Sequence, residues 1–407
     1  MRKICGGITA PKGFEAAAVA ANIKYKGRND MALLYSKVTC AAAGTFTTNV
    51  VKAAPVVWDQ KIVKEGLGVR AVIVNSGIAN ACTGKEGYEY CQETAKTAAK
   101  VFDIEEEQVL LGSTGVIGMQ LPIDRIKAGV MMLAEAKAGT LEAGDAAAKA
   151  IMTTDTVDKQ IAIQFEIDGK LITMGGMAKG SGMIHPNMCT MLAYITTDAC
   201  ISKSALQKAL SDDVKDTYNM VSVDGDTSTN DTVLLLANGM AGNSEITEGT
   251  EEYDVFVKAL RTVNEYLAKA IAADGEGATA LFEVNIVGAA TKEQAIKIAK
   301  SVACSSLTKT AIAGHDANWG RIICAMGYSG AEFDPEKVDL CFESVAGKIQ
   351  IAVDGVAVDF SEEKATEILS QPVVVATADI KMGNEKATAW GCDLTHKYIE
   401  INADYRS

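Results

Sequence analysis

The sequence predicts a mixed α/β protein, because segments with strand-like alternation and segments with helical spacing follow one another along all 407 residues. Two short hairpins support this fold class. Each has an Asp-Gly pair between two alternating segments, which is the signal of a two-residue primed turn. The two turns are Asp168-Gly169 and Asp354-Gly355. The strands that they join are Gln160–Ile167 with Leu171–Met174, and Lys348–Val353 with Val356–Phe360.

The remaining elements follow from the same two periodicities. Strands are predicted at Val69–Asn75, Gln108–Leu111, Met191–Ile195 and Leu281–Val287. Helices are predicted at Gly87–Phe102, from Pro122 onward, and at Ser202–Tyr218, Tyr253–Ala273 and Lys292–Cys304. Ser202 and Thr291 have side chains that are preferred at helix N-caps. Because a long helix gives way to a strand near Thr279–Leu281, we expect a domain boundary between residues 279 and 280.

Charge and hydropathy exclude several classes of function. The 52 acidic residues exceed the 39 Lys and Arg residues, and the formal charge of −13 disfavours binding to nucleic acid or to an anionic membrane. No apolar run approaches the roughly 18 residues of a membrane span, and the N-terminus lacks the apolar core of a signal peptide. The ten cysteines contain no Cys-x-x-Cys pair, which is typical of reduced thiols. We therefore expect a cytoplasmic protein with neither a nucleic-acid nor a membrane partner.

Two loop motifs are incomplete in this chain. The glycine-rich stretch at residues 175–182 has the look of a phosphate-binding loop, but Lys179 is followed by glycine where Ser or Thr is needed. Asp224 opens a segment similar to a calcium loop, but Thr229 and Leu235 occupy the positions that require Gly and Glu. Neither motif therefore predicts a nucleotide or calcium site.

Histidine, serine and cysteine patterns also leave the chemistry open. The three histidines, His185, His315 and His396, have no metal-ligand spacing, so no metal is expected. A Gly-x-Ser-x-Gly sequence for a serine nucleophile is absent. A pair that joins Cys189 to His185 or His315 stays open, because sequence spacing does not exclude it.

The centre of the chain carries an unusual concentration of Gly, Ser, Thr and Asn. Residues 175–190 read Gly-Gly-Met-Ala-Lys-Gly-Ser-Gly-Met-Ile-His-Pro-Asn-Met-Cys-Thr and lead into an apolar segment. Composition alone fits a flexible loop before a buried strand. The same residues, however, resemble the ArgJ family, the self-cleaving ornithine acetyltransferases of arginine biosynthesis.

The resemblance continues along the whole chain, in blocks that follow the order of the family. The blocks before the centre are Thr9–Phe14, Phe46–Asn49, Val74–Gly77, Ala79–Gly84, Ser113–Gly118 and Met152–Thr156. The central blocks are Gly176–Ile184 and Pro186–Leu192. The blocks beyond the centre are Asp226–Asp231, Asp274–Thr279, Lys309–Arg321 and Tyr398–Ser407.

The resemblance implies a particular maturation and fold. It implies cleavage between Cys189 and Thr190 into an alpha chain, 1–189, and a beta chain, 190–407, two of each forming a heterotetramer. It also implies a layered α/β catalytic domain over 1–279, of the self-processing N-terminal-nucleophile type similar to the DmpA aminopeptidases. A C-terminal α/β domain is expected over 280–407.

Cleavage before Thr190 makes chemical sense. A threonine hydroxyl is a weak nucleophile at neutral pH unless a base lies beside it. The cut releases the α-amino group of Thr190, and the reference pKa of such a group, about 7.7–8.0, leaves a useful neutral fraction near pH 7. One residue then supplies both nucleophile and base. The cut itself would be an attack of the Thr190 hydroxyl on the Cys189 carbonyl, followed by hydrolysis of the ester.

The resemblance implies acyl transfer in two steps and no cofactor. The Thr190 hydroxyl takes the acetyl group of N2-acetyl-L-ornithine, ornithine leaves, and the acetyl ester passes to the amino group of L-glutamate. Acetyl-CoA is a second candidate donor, on which the sequence does not decide. A hydrolase on the same fold, an N-terminal-threonine aminopeptidase or amidase, is the competing enzyme class. An uncleaved, non-catalytic binding protein is the third hypothesis.

The same resemblance assigns residues to the site. Thr114, through its hydroxyl, and Gly115, through its backbone N–H, are the expected oxyanion-hole donors. The expected substrate contacts are Thr153, Lys179, Thr190, Glu276, Asn402 and Ser407. Without the family resemblance, Thr114 and Gly115 would be interpreted as a plain tight turn. Lys179 would be interpreted as a solvated loop cation, and Glu276 as part of a turn at a helix end.

The chain departs from the family pattern at two positions. Cys189, before the expected cut, stands where the family commonly has alanine. Ile78 stands where the family usually has asparagine. The first change keeps a small residue beside the scissile bond, and the second removes a polar side chain.

Overall fold

The computed structural model of the chain describes residues 1–185 and 191–404. Two compact units are formed, and each has its own β-sheet. The first unit comprises the described parts of Met1–Gly180, Pro186–Tyr218 and Thr227–Leu267. The second comprises the described parts of Ser181–His185, Asn219–Asp226 and Ala268–Ser407. The domain boundary expected between residues 279 and 280 stays a prediction.

The sheet of the first unit has nine strands in the described part of the chain. They are β1 (Arg2–Ile4), β2 (Phe14–Val19), β3 (Met31–Phe46), β4 (Val69–Ile78), β5 (Val109–Val116), β6 (Lys159–Ile167), β7 (Lys170–Lys179), β8 (Leu192–Thr197) and β9 (Thr232–Ala237). Their order is β1-β6-β7-β8-β9-β3-β4-β5, with β2 also paired to β3. The β4–β5 and β8–β9 pairs are parallel.

The helices alternate with these strands and continue into the second unit. They are α1 (Ala54–Glu65), α2 (Gly84–Phe102), α3 (Ile123–Ala136), α4 (Leu141–Ala150), α5 (Lys203–Asp213), α6 (Glu251–Ala273), α7 (Lys292–Cys304), α8 (Ser306–Ala313), α9 (Trp319–Gly327), α10 (Glu362–Leu369) and α11 (His396–Ala403). In the first unit, fully buried side chains of β3, β4 and β5 pack in one core with residues of α1 to α4.

The sheet of the second unit has six strands among residues 281–392. They are β10 (Leu281–Ala289), β11 (Asp339–Ser344), β12 (Gly347–Val353), β13 (Val356–Ala357), β14 (Val373–Asp379) and β15 (Glu385–Cys392). The order is β13-β12-β11-β14-β10-β15, and the β10–β14 pair is parallel. In the part of the chain that the structure describes, no helix is long and apolar enough to cross a membrane.

Both predicted hairpins are present. Asp168 and Gly169 have φ values of 52° and 67°, and Asp354 and Gly355 have values of 46° and 72°. Positive φ at both central residues is the geometry of a type I′ turn, which Asp-Gly adopts at low cost. Helix α7 also has its predicted bounds, and the Thr291 side chain accepts a hydrogen bond from the Gln294 N–H at 3.1 Å.

Several predicted boundaries were wrong, among them the end of β13, which stops at Ala357 and not at Phe360. Helix α5 ends at Asp213, before the predicted end at Tyr218, and the Thr217 hydroxyl donates to the Asp213 carbonyl that a continuing helix would use. Strand β5 continues beyond Leu111 because its pairing with β4 continues. Residues 175–179 belong to strand β7 and not to a loop, because these glycines pack tightly: a Cβ on Gly175 would lie 1.9 Å from the carbonyl oxygen of Gly7.

Candidate active site

The expected oxyanion-hole residues lie near the end of β5. Thr114 pairs with Ser76, and Gly115 pairs with Gly77, in the parallel register of β5 with β4. Both Thr114 and Gly115 are partly exposed, whereas Ser113 before them is buried. The two residues that are expected to supply the oxyanion-hole donors therefore lie at a partly exposed strand end of the first unit.

Glycine is required at position 115 for two reasons. Its φ is 130°, a conformation that residues with a Cβ rarely adopt. A Cβ there would also lie 2.2 Å from the carbonyl carbon of Gly77 and 2.4 Å from its oxygen. The two backbones can approach this closely only because residue 115 lacks a side chain.

Buried hydrogen bonds connect the end of β5 with the end of β4. The Ser113 hydroxyl donates to the Asn75 side-chain oxygen at 2.7 Å, and the Asn75 amide donates to the Ile78 carbonyl at 2.8 Å. Ile78, the last residue of β4, is buried. The departure from asparagine therefore leaves an apolar side chain at this strand end, while the Ile78 carbonyl keeps a polar contact. Sequence reasoning did not assign Asn75 a role.

Lys179 and Thr153, both expected substrate contacts, lie next to each other. The Lys179 ammonium, at the end of β7, donates to the Thr153 hydroxyl at 2.8 Å. Lys179 is only 7% exposed, so it is not the solvated loop cation that composition suggested. An ammonium group has three donors, and Thr153 accepts one of them.

Asp155 organises this pair, and the sequence analysis missed it. Its carboxylate accepts a hydrogen bond from Lys159 at 2.8 Å and lies 3.7 Å from the Lys179 ammonium. It also accepts from the backbone N–H groups of Thr153 and Gly180, at 3.0 and 2.6 Å. Burial alone would raise the pKa of Asp155, but Lys179, Lys159 and these hydrogen bonds together hold that pKa well below its ordinary value. The Met152–Thr156 block was the sequence signal that contained this residue.

Asp155→Asn is expected to destabilise the first unit strongly. Removing one member of a buried ion pair leaves buried charge uncompensated, which costs about 3–5 kcal/mol. Because the native pKa of Asp155 is lowered, its stabilisation is present above the unfolded pKa of about 3.9 and is lost as the pH falls below it. Thermal melts from pH 7 to pH 3 measure this, with the variant difference shrinking at acid pH.

Asp212→Asn is the matched control for that prediction. Asp212 also pairs with two lysines, Lys208 and Lys215, but its side chain is 50% exposed. Exposed ion pairs contribute about 0–1 kcal/mol, so its melting temperature should change little. Equal effects of the two substitutions would contradict a special role for Asp155.

Glu276 and Asn402, also expected substrate contacts, are hydrogen-bonded to each other in the second unit. The Asn402 amide, on α11, donates to the Glu276 carboxylate at 2.7 Å, and Glu276 is 6% exposed. A Cβ on Gly182 would lie 2.3 Å from the carboxyl carbon of Glu276, so Gly182 makes room for this carboxylate. A buried carboxylate with an amide partner is suited to an ammonium ligand.

Three expected site residues lie outside the described residues: Cys189, Thr190 and Ser407. Met191, the residue after Thr190, is the first described residue beyond this gap. The Met191 carbonyl accepts a hydrogen bond from the Thr232 N–H at 2.9 Å, directly before β8 pairs with β9. Met191, the second residue of the expected beta chain, is therefore hydrogen-bonded to β9.

The pair that joins Cys189 to His185 or His315 stays a prediction, because Cys189 lies outside the described residues. His185 Nδ1 lies 3.1 Å from the Ser222 hydroxyl and 3.3 Å from the Cys304 thiol. Burial lowers the pKa of His185 and raises the pKa of Cys304, which disfavours a thiolate–imidazolium pair between these two residues. His315 lies 3.2 Å from the Ser370 hydroxyl. Within residues 1–185 and 191–404, no three His, Cys, Asp or Glu side chains group as metal ligands.

Comparison with known proteins gives full-length matches. The model of the ArgJ family matches residues 15–407. An arginine biosynthesis bifunctional protein from Thermotoga neapolitana is 52% identical over 398 residues, which are 98% of this chain and 99% of the relative. A protein with the same description from Caldanaerobacter subterraneus is 50% identical over 407 residues, all of both chains.

A solved structure agrees with these relatives. The crystal structure of an arginine biosynthesis bifunctional protein from Bacillus halodurans is 47% identical, with a TM-score of 0.51. It covers 53% of this chain and 99% of its own. The sheet topology and the matched structure thus place the chain in the class of mixed α/β proteins, as the sequence predicted.

The chain belongs to the ArgJ family. The resemblance on which the sequence analysis depended is confirmed, and so is the mixed α/β fold class. The roles of individual residues stay predictions.

Proposed function

We propose that the protein is a glutamate N-acetyltransferase of arginine biosynthesis. It moves the acetyl group of N2-acetyl-L-ornithine to L-glutamate through an acetyl ester on Thr190. Membership of the ArgJ family supports this, since its full-length relatives are named for arginine biosynthesis. The observation that carries the proposal is the partly exposed Thr114–Gly115 end of β5, held against Gly77 in a conformation only glycine adopts easily.

In the first step, the α-amino group of Thr190 takes the proton of the Thr190 hydroxyl while the oxygen attacks the acetyl carbonyl. The tetrahedral oxyanion accepts hydrogen bonds from the Thr114 hydroxyl and the Gly115 N–H. When the carbon–nitrogen bond breaks, the α-ammonium returns its proton to the leaving amine of ornithine. The product is the acetyl ester of Thr190.

In the second step, the neutral amino group of glutamate attacks this ester, and its proton goes to the Thr190 amine. The same two donors stabilise the second oxyanion. Collapse of the intermediate breaks the ester bond, returns the proton to the Thr190 oxygen and releases N-acetyl-L-glutamate. These steps need no cofactor, and acetyl-CoA would enter as an alternative first donor.

Maturation uses the same nucleophilic oxygen, at a stage when the Thr190 nitrogen is still part of the peptide bond. The Thr190 oxygen attacks the Cys189 carbonyl, the carbon–nitrogen bond breaks, and the hydroxyl proton passes to the released nitrogen. Water then hydrolyses the ester that joins Cys189 to the Thr190 oxygen. The products are residues 1–189 and 190–407, two copies of each forming the proposed cytoplasmic heterotetramer. A layered N-terminal-nucleophile domain over 1–279 and a C-terminal domain over 280–407 belong to the same proposal.

Charge complementarity supports the substrate class. Both substrates carry carboxylates, and Lys179 offers an ammonium whose position is fixed by Thr153 and Asp155. Ornithine compounds also carry an ammonium group, for which the buried Glu276 carboxylate with Asn402 is suited. Ser407 completes the proposed contacts and lies outside the described residues.

An assay with competing acceptors tests the proposal. Purified protein receives acetyl-labelled N2-acetyl-L-ornithine in water, with and without L-glutamate. The proposal predicts labelled N-acetyl-L-glutamate as the main product and little free acetate. Acetate as the main product at saturating glutamate would favour the amidase hypothesis, and no turnover would favour the binding protein.

Lys179→Met is expected to lower kcat/KM for glutamate by about 10–100-fold, mainly through KM, because a charge-assisted hydrogen bond contributes about 1.5–3 kcal/mol. Steady-state kinetics with glutamate as the varied substrate measure this. Lys37→Met is the control, since the exposed Lys37 pairs with Glu15, which keeps Lys137 as a second partner. Kinetics of Lys179→Met within threefold of that control would contradict the assignment.

A further inference from the structure

The residues at the start of β9 are hydrogen-bonded to the end of β5 and to the residue that precedes β8. The Asn230 amide donates to the Ser113 carbonyl at 2.7 Å and to the Ala79 carbonyl at 2.6 Å. Ser113 is the residue directly before Thr114, so this hydrogen bond fixes the peptide plane that leads into the proposed oxyanion hole. Asn230 is 8% exposed.

The other end of this segment holds the chain next to the nucleophile. The Thr232 N–H donates to the Met191 carbonyl at 2.9 Å, and Met191 directly follows Thr190. The Thr232 hydroxyl donates to the Asn230 carbonyl at 3.0 Å. Three consecutive residues thereby connect the chain before Thr114 with the chain after Thr190.

The Asn230 side chain is occupied by these internal contacts. Its oxygen accepts from the Thr229 hydroxyl at 2.6 Å, while its nitrogen serves the two carbonyls. The Thr229 carbonyl in turn accepts from the Ala53 N–H at 2.9 Å, which ties the segment to the start of α1. With its donors and acceptor already used, Asn230 is placed to hold backbone rather than to bind substrate.

We propose that Asn230 is a positioning residue that fixes the backbone leading into the Thr114–Gly115 donors, through its hydrogen bonds to the Ser113 and Ala79 carbonyls. The inference rests on the proposed function. Oxyanion donors act only when they lie about 2.7–3.1 Å from the developing charge, and a misplacement of about 1 Å can cost about 100-fold in rate. Asn230 bonds the Ser113 carbonyl directly before these donors, so its loss would shift them from that distance.

This role predicts a specific kinetic signature. Self-cleavage and acetyl transfer use the same donors, so loss of Asn230 slows both. The hydrogen bonds of Asn230 go to Ser113, Ala79 and Thr229 and not to Lys179 or Thr153, so KM for glutamate stays near its wild-type value. A merely structural role would lower stability without separating kcat from KM.

Asn230→Asp is the test, because it keeps the size and the oxygen but replaces the donor nitrogen. Asn243→Asp is the matched control, since Asn243 is 7% exposed and its side chain also bonds backbone groups. The Asn243 side-chain oxygen accepts from the Cys200 N–H at 2.9 Å, and its nitrogen donates to the carbonyls of Cys200 and Ser244 at 3.0 and 2.6 Å. We expect Asn230→Asp to accumulate uncut chain and to lose about 30-fold in kcat per cleaved chain, with KM within about twofold. Asn243→Asp should cleave fully and keep kcat within about twofold of wild type, as expected for a residue remote from the donors.

Thr232→Val keeps the test decisive if Asn230→Asp does not fold. It removes only the hydroxyl that donates to Asn230, and we expect kcat to fall about threefold with KM unchanged. Wild-type cleavage and kcat in both variants, or equal loss of kcat in Asn230→Asp and Asn243→Asp, would overturn the positioning role. Failure of the wild-type protein to transfer acetyl groups would instead overturn the proposed function.

Discussion

Thr190→Ala yields one uncut chain with no measurable transfer activity. The substitution removes the oxygen that attacks the Cys189 carbonyl, so no new α-amino group is released and neither nucleophile nor base forms. Loss of a catalytic nucleophile lowers kcat by about a millionfold in serine proteases, and the expected activity here is at the assay floor. Denaturing gel electrophoresis and the acetyl-transfer assay measure the two losses.

Thr190→Ser is the matched variant for this experiment. It keeps a hydroxyl and, after cleavage, an α-amino group on the same residue, so it should be cut and retain part of the transfer activity. Cleaved or active Thr190→Ala protein would contradict the assignment of the nucleophile. Loss of both properties in Thr190→Ser as well would point to misfolding, which a thermal melt detects.

Thr114→Ala lowers kcat by about 100–1,000-fold, the cost of one lost oxyanion donor. The interaction exists only when charge develops on the carbonyl oxygen, so KM for both substrates should stay near its wild-type value. Self-cleavage should slow as well, because it passes through an oxyanion at the same position. Steady-state kinetics of cleaved protein, with a time course of cleavage, measure both effects.

Thr114→Ser separates the hydroxyl from the rest of the side chain. Serine keeps the donor on the same β5 position, whose backbone is paired with Ser76, so we expect activity within about tenfold of wild type. Equal activity in Thr114→Ala and wild type would exclude the hydroxyl as a donor. Equal loss in both variants would assign the effect to packing of the threonine methyl group.

The parts of the fold that depend on local chemistry could be predicted from the sequence. The Asp168-Gly169 turn follows from the need for positive φ at two adjacent residues, and the start of α7 follows from the capping side chain of Thr291. The parallel pairing of β4 with β5 could not be predicted, because partners distant in sequence carry no local signal. The end of α5 could not be predicted either, because it depends on the Thr217 hydroxyl, which donates to the Asp213 carbonyl that a continuing helix would use.

The site was predictable only where the family resemblance supplied it. Lys179 lay in what looked like an incomplete phosphate loop, and only the structure places it on a strand beside Thr153. Asp155 and Asn230 were missed because a single buried carboxylate or amide belongs to no sequence motif with a characteristic spacing. Each lies inside a block that the resemblance had marked, Met152–Thr156 and Asp226–Asp231.

The central claim is that active protein has a threonine with a free amine at position 190. Intact-mass measurement and N-terminal sequencing of active wild-type protein test it most directly. The account predicts two polypeptides, and the second begins Thr-Met-Leu-Ala-Tyr, the sequence from residue 190. A fully active sample that contains only the unbroken chain of 407 residues would contradict it.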